Sequence, residues 1–412
     1  MEGIEVPSHF LCPISLQLMR DPVTVSTGIT YDRENIEHWL FSCNKSTCPV
    51  TKQPLLQLIH AAEIDHHHLT PNHTLRRLIQ AWCTLNASYG IERIPTPKPP
   101  VDKSHILKLL DEANDDHPNS QLRCLQSLKS IASQSERNKK CLEAAGTIEF
   151  LALIVKNGGD SMATTEAAVE LLFHLIKSSE KRLKSLVTND GGILDSLVRV
   201  LRCGNYQSRA YAIVLLKPIL ELADPIRVMS VGSELFNEVV LVLRDRISHQ
   251  ASKAALNLLM EICPWGRNRI KAVEGGAVPV LIELLLDAPE KRACELTLVV
   301  LDQLCCCAEG RAELLRHGAG LAVVSKKILR VSHVVSYRAV RILSSVCRFS
   351  ATSRVLQEML QVGVVAKLCL VLQVDSSLKT KERAKEILKL HSRVWKNSTC
   401  MPAHLLSSYP SS

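Results

Sequence analysis

Aromatic residues make up only 4% of this 412-residue chain, although 46% of it is hydrophobic. A core drawn mostly from Leu, Val, Ile and Ala suits stacked helices better than a β-sandwich, where Tyr, Phe and Trp would be enriched. Blocks of like charge are also missing. The formal net charge is +9, but Lys and Arg form no run of five or more and are not interleaved with aromatics, so a base-stacking nucleic-acid surface is not expected. Met1-Glu2-Gly3 leads into polar and acidic residues, without the basic and apolar regions of a secretory leader. The most apolar window, residues 293–308, contains Glu295 and Asp302 and falls short of a membrane span.

Several chemistries lack their residues. A structural zinc site needs about four Cys or His ligands, arranged as two paired corners. Before the His-rich stretch that holds His60, His66, His67 and His68, the only cysteines are Cys12, Cys43 and Cys48, and none forms a CxxC pair. No metal is expected, and the His run reads as a solvated loop. The 15 cysteines lie mostly at apolar helical positions such as Cys124, Cys141, Cys263, Cys294, Cys347 and Cys369, as small core residues in a reducing compartment do. Cys305-Cys306-Cys307 falls inside a helical pattern, with no loop cysteine beside a His and an Asp or Asn, so a nucleophilic cysteine is not expected. The Gly-Gly pairs precede no Gly-Lys-Ser or Gly-Lys-Thr, which excludes a phosphate loop, and no cofactor is implied.

What is present begins with residues 10–50. They open Phe10-Leu11-Cys12-Pro13-Ile14 and close Thr47-Cys48-Pro49-Val50. Between these ends, β-branched residues flank Ser26-Thr27-Gly28, predicting a hairpin with Gly28 free to take a positive φ. Asp32 is placed to cap a helix reaching about residue 41. Ile36 and Leu40 form its buried stripe, and Trp39 sits one position off that stripe, partly exposed. Thr70-Pro71-Asn72 starts a second amphipathic helix, with Leu75, Leu78, Ile79, Trp82 and Leu85 at spacings of three and four. Four prolines then crowd Pro95 to Pro100, predicting an extended, stiff spacer.

From about residue 101 the chain repeats. Gly146, Gly191, Gly232, Gly275, Gly318 and Gly363 recur at intervals of 45, 41, 43, 43 and 45 residues, the period of armadillo or HEAT helical repeats. The clearest unit runs through residues 268–285. A short helix ends at Gly275-Gly276, and a longer one starts near Pro279, where proline is tolerated in a first turn and glycine supplies the reversal. The pattern weakens near Pro218 and after Leu388.

Cys12-Pro13-Ile14-Ser15-Leu16, Met19-Arg20-Asp21-Pro22-Val23, Gly28-Ile29-Thr30-Tyr31-Asp32-Arg33, Cys48-Pro49-Val50-Thr51 and Leu69-Thr70-Pro71-Asn72 closely resemble the U-box of ubiquitin ligases. That domain has the shape of a RING held by hydrogen bonds and salt bridges in place of zinc. With the proline-rich spacer and the repeats, the resemblance extends over nearly the whole chain, to the plant U-box/armadillo ubiquitin-protein ligases and their immune and stress signalling subgroup. It implies a mostly α chain: a small α+β U-box at residues 5–83, a helix end and spacer at 84–100, an α-solenoid of armadillo repeats at 101–395 and a disordered tail at 396–412.

The resemblance further implies that Ile14 and Leu16 in the first loop, Trp39 on the central helix and Pro49 in the second loop form the groove for a ubiquitin-loaded conjugating enzyme. Lys52 stands where many members carry an arginine, keeping the charge but not the planar fork. Purely structural roles stay open for Ile14 in the core, Trp39 under the hairpin and Pro49 in shaping its loop, although an aromatic anchor flanked by apolar loop residues is what an interface hot spot needs. Residues 56–68 look longer than the usual connection and are expected to form a surface loop. The implied partners are the conjugating enzyme with its ubiquitin and a protein substrate on the repeats, with homodimerisation or self-ubiquitination as a further expectation. Cytoplasmic localisation is expected, with nuclear or partner-mediated peripheral membrane association as variants. The rivals are a non-catalytic adaptor that docks or dimerises through the U-box and an importin-like carrier. The latter would want regularly spaced Trp and Asn, but the repeats hold only Trp265 and Trp395.

Overall fold

Val23 and Tyr31 sit opposite one another in an antiparallel pair, β1 (Pro22–Thr24) and β2 (Thr30–Asp32), with Gly28 at φ 82° in the connecting turn. A third short strand, β3 (Thr70–Pro71), pairs antiparallel with β1 on its other edge. Helix α1 (Arg33–Glu37) follows β2 directly and passes into one π-helical turn, His38–Ser42. Ile36 and Leu40 point into the core with Cys12, Val23, Tyr31, Cys48, Ile79 and Cys83. The closing helix α2 (His73–Leu85) is capped by Asn72, whose side chain accepts from the Leu75 amide. Its expected apolar stripe divides: Ile79 is buried and Leu75 and Trp82 pack against the core, but Leu78 and Leu85 are 53% and 80% exposed. The helix touches its small domain along a narrower face than the spacing suggested.

The computed structural model describes residues 6–43, 45–55, 69–95, 101–113, 120–158, 161–176, 192–287, 290–396 and Tyr409. The His-rich segment and expected surface loop at 56–68, the prolines at 96–100 and Gly191 lie outside them. The chain falls into two compact units, Met1–Ser179 and Glu180–Ser412. The first adds α3 (Lys103–Glu112), α4 (Ser120–Gln134), α5 (Glu136–Ala144), α6 (Thr147–Asn157) and α7 (Met162–Ile176) to the N-terminal domain. Within it the π-helical turn packs against α5. Burial pushes the Glu37 carboxyl up, opposed by the nearby Arg33 and Arg137 cations.

The second unit stacks short, medium and long helices in turn, most regularly at Asn268–Glu274, Ala277–Asp287 and Lys291–Leu304, then Ala308–Arg316, Gly320–Lys327 and His333–Phe349. Successive long helices pack on one another. Four of them open on a side-chain cap, from Asn205, Ser248, Ser332 and Ser377. At the ends of two long helices, His249–Ile262 and Lys291–Leu304, free C-terminal carbonyls are met by side chains from the short helices that follow: Asn268 Nδ2 donates to Ile262 O at 3.0 Å and Arg311 to Cys305 O at 3.1 Å. In the first unit Asn138 Nδ2 does the same to Ile131 O.

The repeat glycines are less uniform than their spacing. Gly146 and Gly363 take the left-handed conformation, but in the clearest unit it falls on Gly276 rather than Gly275, and Gly232 and Gly318 have ordinary φ. The longer helix there starts at Ala277, two residues ahead of Pro279. Pro218 lies inside the helix Tyr206–Leu222. Cys305 to Cys307 form the junction between two helices rather than part of one. Trp395 is fully buried, its indole donating to Leu356 O, and caps the stack. Within the tail expected to be disordered, Tyr409 is buried and donates to Leu388 O at 2.6 Å.

Asn268 is fully buried and bridges two repeats, since its Nδ2 also reaches Val228 O at 2.8 Å. Asn268→Ala orphans both carbonyls and is expected to destabilise the chain by about 2 kcal/mol. Urea denaturation of the full chain checks this, and an unchanged midpoint would mean that water replaces the amide without cost.

Candidate functional site

Two hexapeptides 36 residues apart share one pattern, Cys12-Pro13-Ile14-Ser15-Leu16-Gln17 and Cys48-Pro49-Val50-Thr51-Lys52-Gln53. They fold alike. In the first loop the Leu16 amide donates to Cys12 O at 2.8 Å and the Cys12 amide to Gln17 O at 2.8 Å; in the second, Lys52 donates to Cys48 O at 2.9 Å and Cys48 to Gln53 O at 2.8 Å. Leu16 and Lys52 both adopt positive φ, 57° and 58°, a conformation that costs a side-chain-bearing residue about 1 kcal/mol or more. Bridges Leu11 to Leu18 and Thr47 to Pro54 close the two loops. Each is thus a tight reversal that pushes apolar or charged groups outward. Leu16 is 74% and Val50 52% exposed, Lys52 is exposed, and Ile14 and Pro49 are half-buried.

One helix edge holds both loops. Asn35 Nδ2 donates to Ser15 Oγ at 3.1 Å in the first loop, and Trp39 Nε1 donates to Thr47 O at 2.8 Å at the entrance to the second. Residues four apart share a helix face, so a single short element fixes the two loops. Lys52 Nζ lies 6.0 Å from the Trp39 ring centroid, in cation–π range. Trp39 is half-buried and rests on the core from this flank. Its indole serves loop 48–53, so the expectation of partial exposure and the alternative of a packing role both apply to it.

Beneath the loops the polar groups are engaged. Tyr31, fully buried, places its hydroxyl 3.0 Å from Cys48 Sγ and accepts from the Val50 amide at 3.3 Å; Thr27 donates to the same sulfur at 3.4 Å. Burial pushes the Cys48 thiol up, but the donors from Thr27, Thr51 and Tyr31 outweigh it and bring the group down to about 6. Burial and the adjoining sulfur hold the Tyr31 phenol far above its ordinary range, so phenol donates and thiolate accepts. Cys12 Sγ accepts from the Asp32 amide at 3.3 Å. Asp32, expected to cap α1, makes no side-chain cap bond; its Oδ1 instead accepts from the Arg20 and Asp21 amides at 2.7 and 2.8 Å. The two amides of the Arg20-Asp21 turn occupy the carboxylate that would otherwise cap the helix. Asp21 in turn pairs with Arg33 Nε at 2.5 Å.

The five residues singled out from the sequence, Ile14, Leu16, Trp39, Pro49 and Lys52, therefore all lie on the two loops and the turn between them. Val50 and Asn35 were missed. The repeated hexapeptide could have pointed to Val50 as the partner of Ile14. For Asn35 the only signal was its four-residue offset from Trp39. Among the described residues no three His, Cys, Asp or Glu side chains converge as a metal site would require.

A two-loop platform on a small sheet and helix, followed by triplets of stacked helices, defines a U-box followed by armadillo repeats. Residues 6–88 match the U-box domain model, and residues 104–411 match the model of the plant U-box protein ARM repeat region. The chain is 58% identical over 414 residues to the E3 ubiquitin-protein ligase PUB23 of Arabidopsis thaliana, covering 99% of this chain and 98% of the relative. It is 55% identical to PUB22 of the same plant over 99% of both chains. A solved structure from work on a phosphorylation switch between cadherin and beta-catenin shares the repeat fold at a TM-score of 0.54 and 14% identity, covering 79% of this chain and 58% of that one. The chain belongs to the plant U-box/armadillo-repeat ubiquitin-protein ligase family.

Because Cys48 titrates near 6 when folded and near 9 as an ordinary thiol, the unfolded chain holds the extra proton between these values. Stability is expected to rise with pH across that window and to be lost as pH falls through about 6. Urea midpoints of wild type and Cys48→Ser over pH 6 to 9 check this: the variant should lose the slope.

Proposed function

We propose that Ile14, Leu16, Trp39 and Pro49, with Val50 and Lys52 beside them, receive a ubiquitin-loaded conjugating enzyme, while the repeats hold the substrate. The observation that carries this reading is the exposed apolar pair Leu16 and Val50, one on each of two loops held by one helix edge, whose half-buried Trp39 has a cation over its ring. That is the make-up of an interface hot spot. The substrate lysine amine attacks the thioester carbonyl on the conjugating enzyme; the C–N isopeptide bond forms, the C–S bond breaks, and the thiolate leaves as the amine gives up its proton. This chain contributes proximity and orientation, with no covalent intermediate of its own. Burial pushes the thiols of Cys305 and Cys307 up, against a nucleophilic role for that cluster.

Residues 71–100 resemble the immune and stress signalling subgroup, which supports regulation of defence or stress signalling through protein turnover, carried out in the cytoplasm. Ubiquitin, activating enzyme and a panel of conjugating enzymes provide the test. Wild type is expected to build chains with at least one member, and Ile14→Ala and Trp39→Ala to slow it by about tenfold or more. No chains with any member would favour a non-catalytic adaptor; variants as active as wild type would remove the site assignment alone.

A further inference from the structure

Arginines scattered through the sequence converge on one tyrosine in the second unit. Arg338, Arg341 and Arg383 each place the guanidinium carbon 5.8 to 5.9 Å from the Tyr337 ring centroid. They come from two successive long helices, His333–Phe349 and Leu378–Leu390. Arg341 and Arg383 are 42 residues apart, one repeat length, so the stacking carries them to matching positions on neighbouring helices. The preceding long helix, Lys291–Leu304, supplies Asp302, buried at 3% exposure, whose carboxylate reaches Arg338 at 2.8 Å and Arg341 at 3.4 Å. Arg383 forms no ion pair among the described residues, and the Tyr337 hydroxyl has no hydrogen-bond partner among them.

Three guanidiniums face one carboxylate here, so even with Asp302 ionised two positive charges are in excess. The group is half-buried, where charge is screened less than on open surface. Arginine offers planar multi-donor forks suited to carboxylate and phosphate, and the ring holds them in place by cation–π contact. Crowding three like charges on one ring is unfavourable unless an anion offsets them, and Asp302 offsets only part. Solenoids bind partners along such stacked-helix surfaces.

We propose that Tyr337, Arg338, Arg341 and Arg383 form a docking site for an extended anionic segment of a partner protein, rich in carboxylate or phosphorylated side chains. This rests on the reading of the repeats as the substrate-holding part and names the chemistry they select.

Fluorescence anisotropy of the full chain with labelled (Gly-Glu)6, (Gly-phosphoserine)6 and (Gly-Gln)6 peptides tests it without any conjugating enzyme. The two anionic peptides are expected to bind, more weakly as salt rises, with the stronger of them identifying carboxylate or phosphate as the preferred group. The glutamine peptide is expected not to bind. Arg341→Gln/Arg383→Gln should weaken anionic binding by about tenfold or more. Arg383→Gln alone, which breaks no ion pair, should weaken it about threefold, with an unchanged circular dichroism spectrum. Equal affinity for the glutamate and glutamine peptides, anionic binding undiminished in the double variant, or a labelled oligouridylate binding more tightly than either anionic peptide would overturn the proposal. Anionic binding in a chain that transfers no ubiquitin would uphold the site and refute only its role in ligation.

Discussion

The phenol of Tyr31 reaches the sulfur of Cys48 from an edge strand of a three-stranded sheet, and the placement of loop 48–53 follows from that contact. The same hydroxyl accepts the Val50 amide, so one buried oxygen fixes both the start and the middle of the loop. A sulfur held by hydroxyl groups does here what a metal-bound sulfur does in zinc-held loops. It anchors a tight reversal from beneath, leaving the outer surface free. Loop 12–17 is held more lightly, by the Asp32 amide on Cys12 Sγ and by Asn35 on Ser15. The two loops share a backbone geometry but not an anchor.

Alpha-helical repeats solve a different problem. Long helices end with carbonyls that need donors, and at three of them an Asn or Arg from the next short helix provides one. The repeats are therefore coupled by directional bonds as well as by apolar packing, and the stacking fixes which side chains from distant stretches meet. The arginine cluster around Tyr337 is one product of that register.

Much of this was legible in the sequence because periodicity reports burial directly. Six glycines at near-constant spacing announced the repeats, and the Ser26-Thr27-Gly28 hairpin and the Ile36/Leu40 stripe fell where expected. What was not legible depended on competition between groups distant in sequence. Asp32 has the composition of a cap, yet two amides from the Arg20-Asp21 turn claim its carboxylate. Leu78 and Leu85 fit an amphipathic period, yet the domain is too small to cover them. Residues 42 apart give no local signal of meeting, so the net charge of +9 looked evenly spread.

Amide hydrogen exchange at Leu16 and Lys52, the two left-handed positions whose amides close the loops, reads the anchoring contact directly. Tyr31→Phe removes only the hydroxyl. The account expects faster exchange at Lys52 with Leu16 unchanged, because the phenol supports the second loop alone. Unchanged exchange at Lys52, or equal acceleration at both positions, would contradict it.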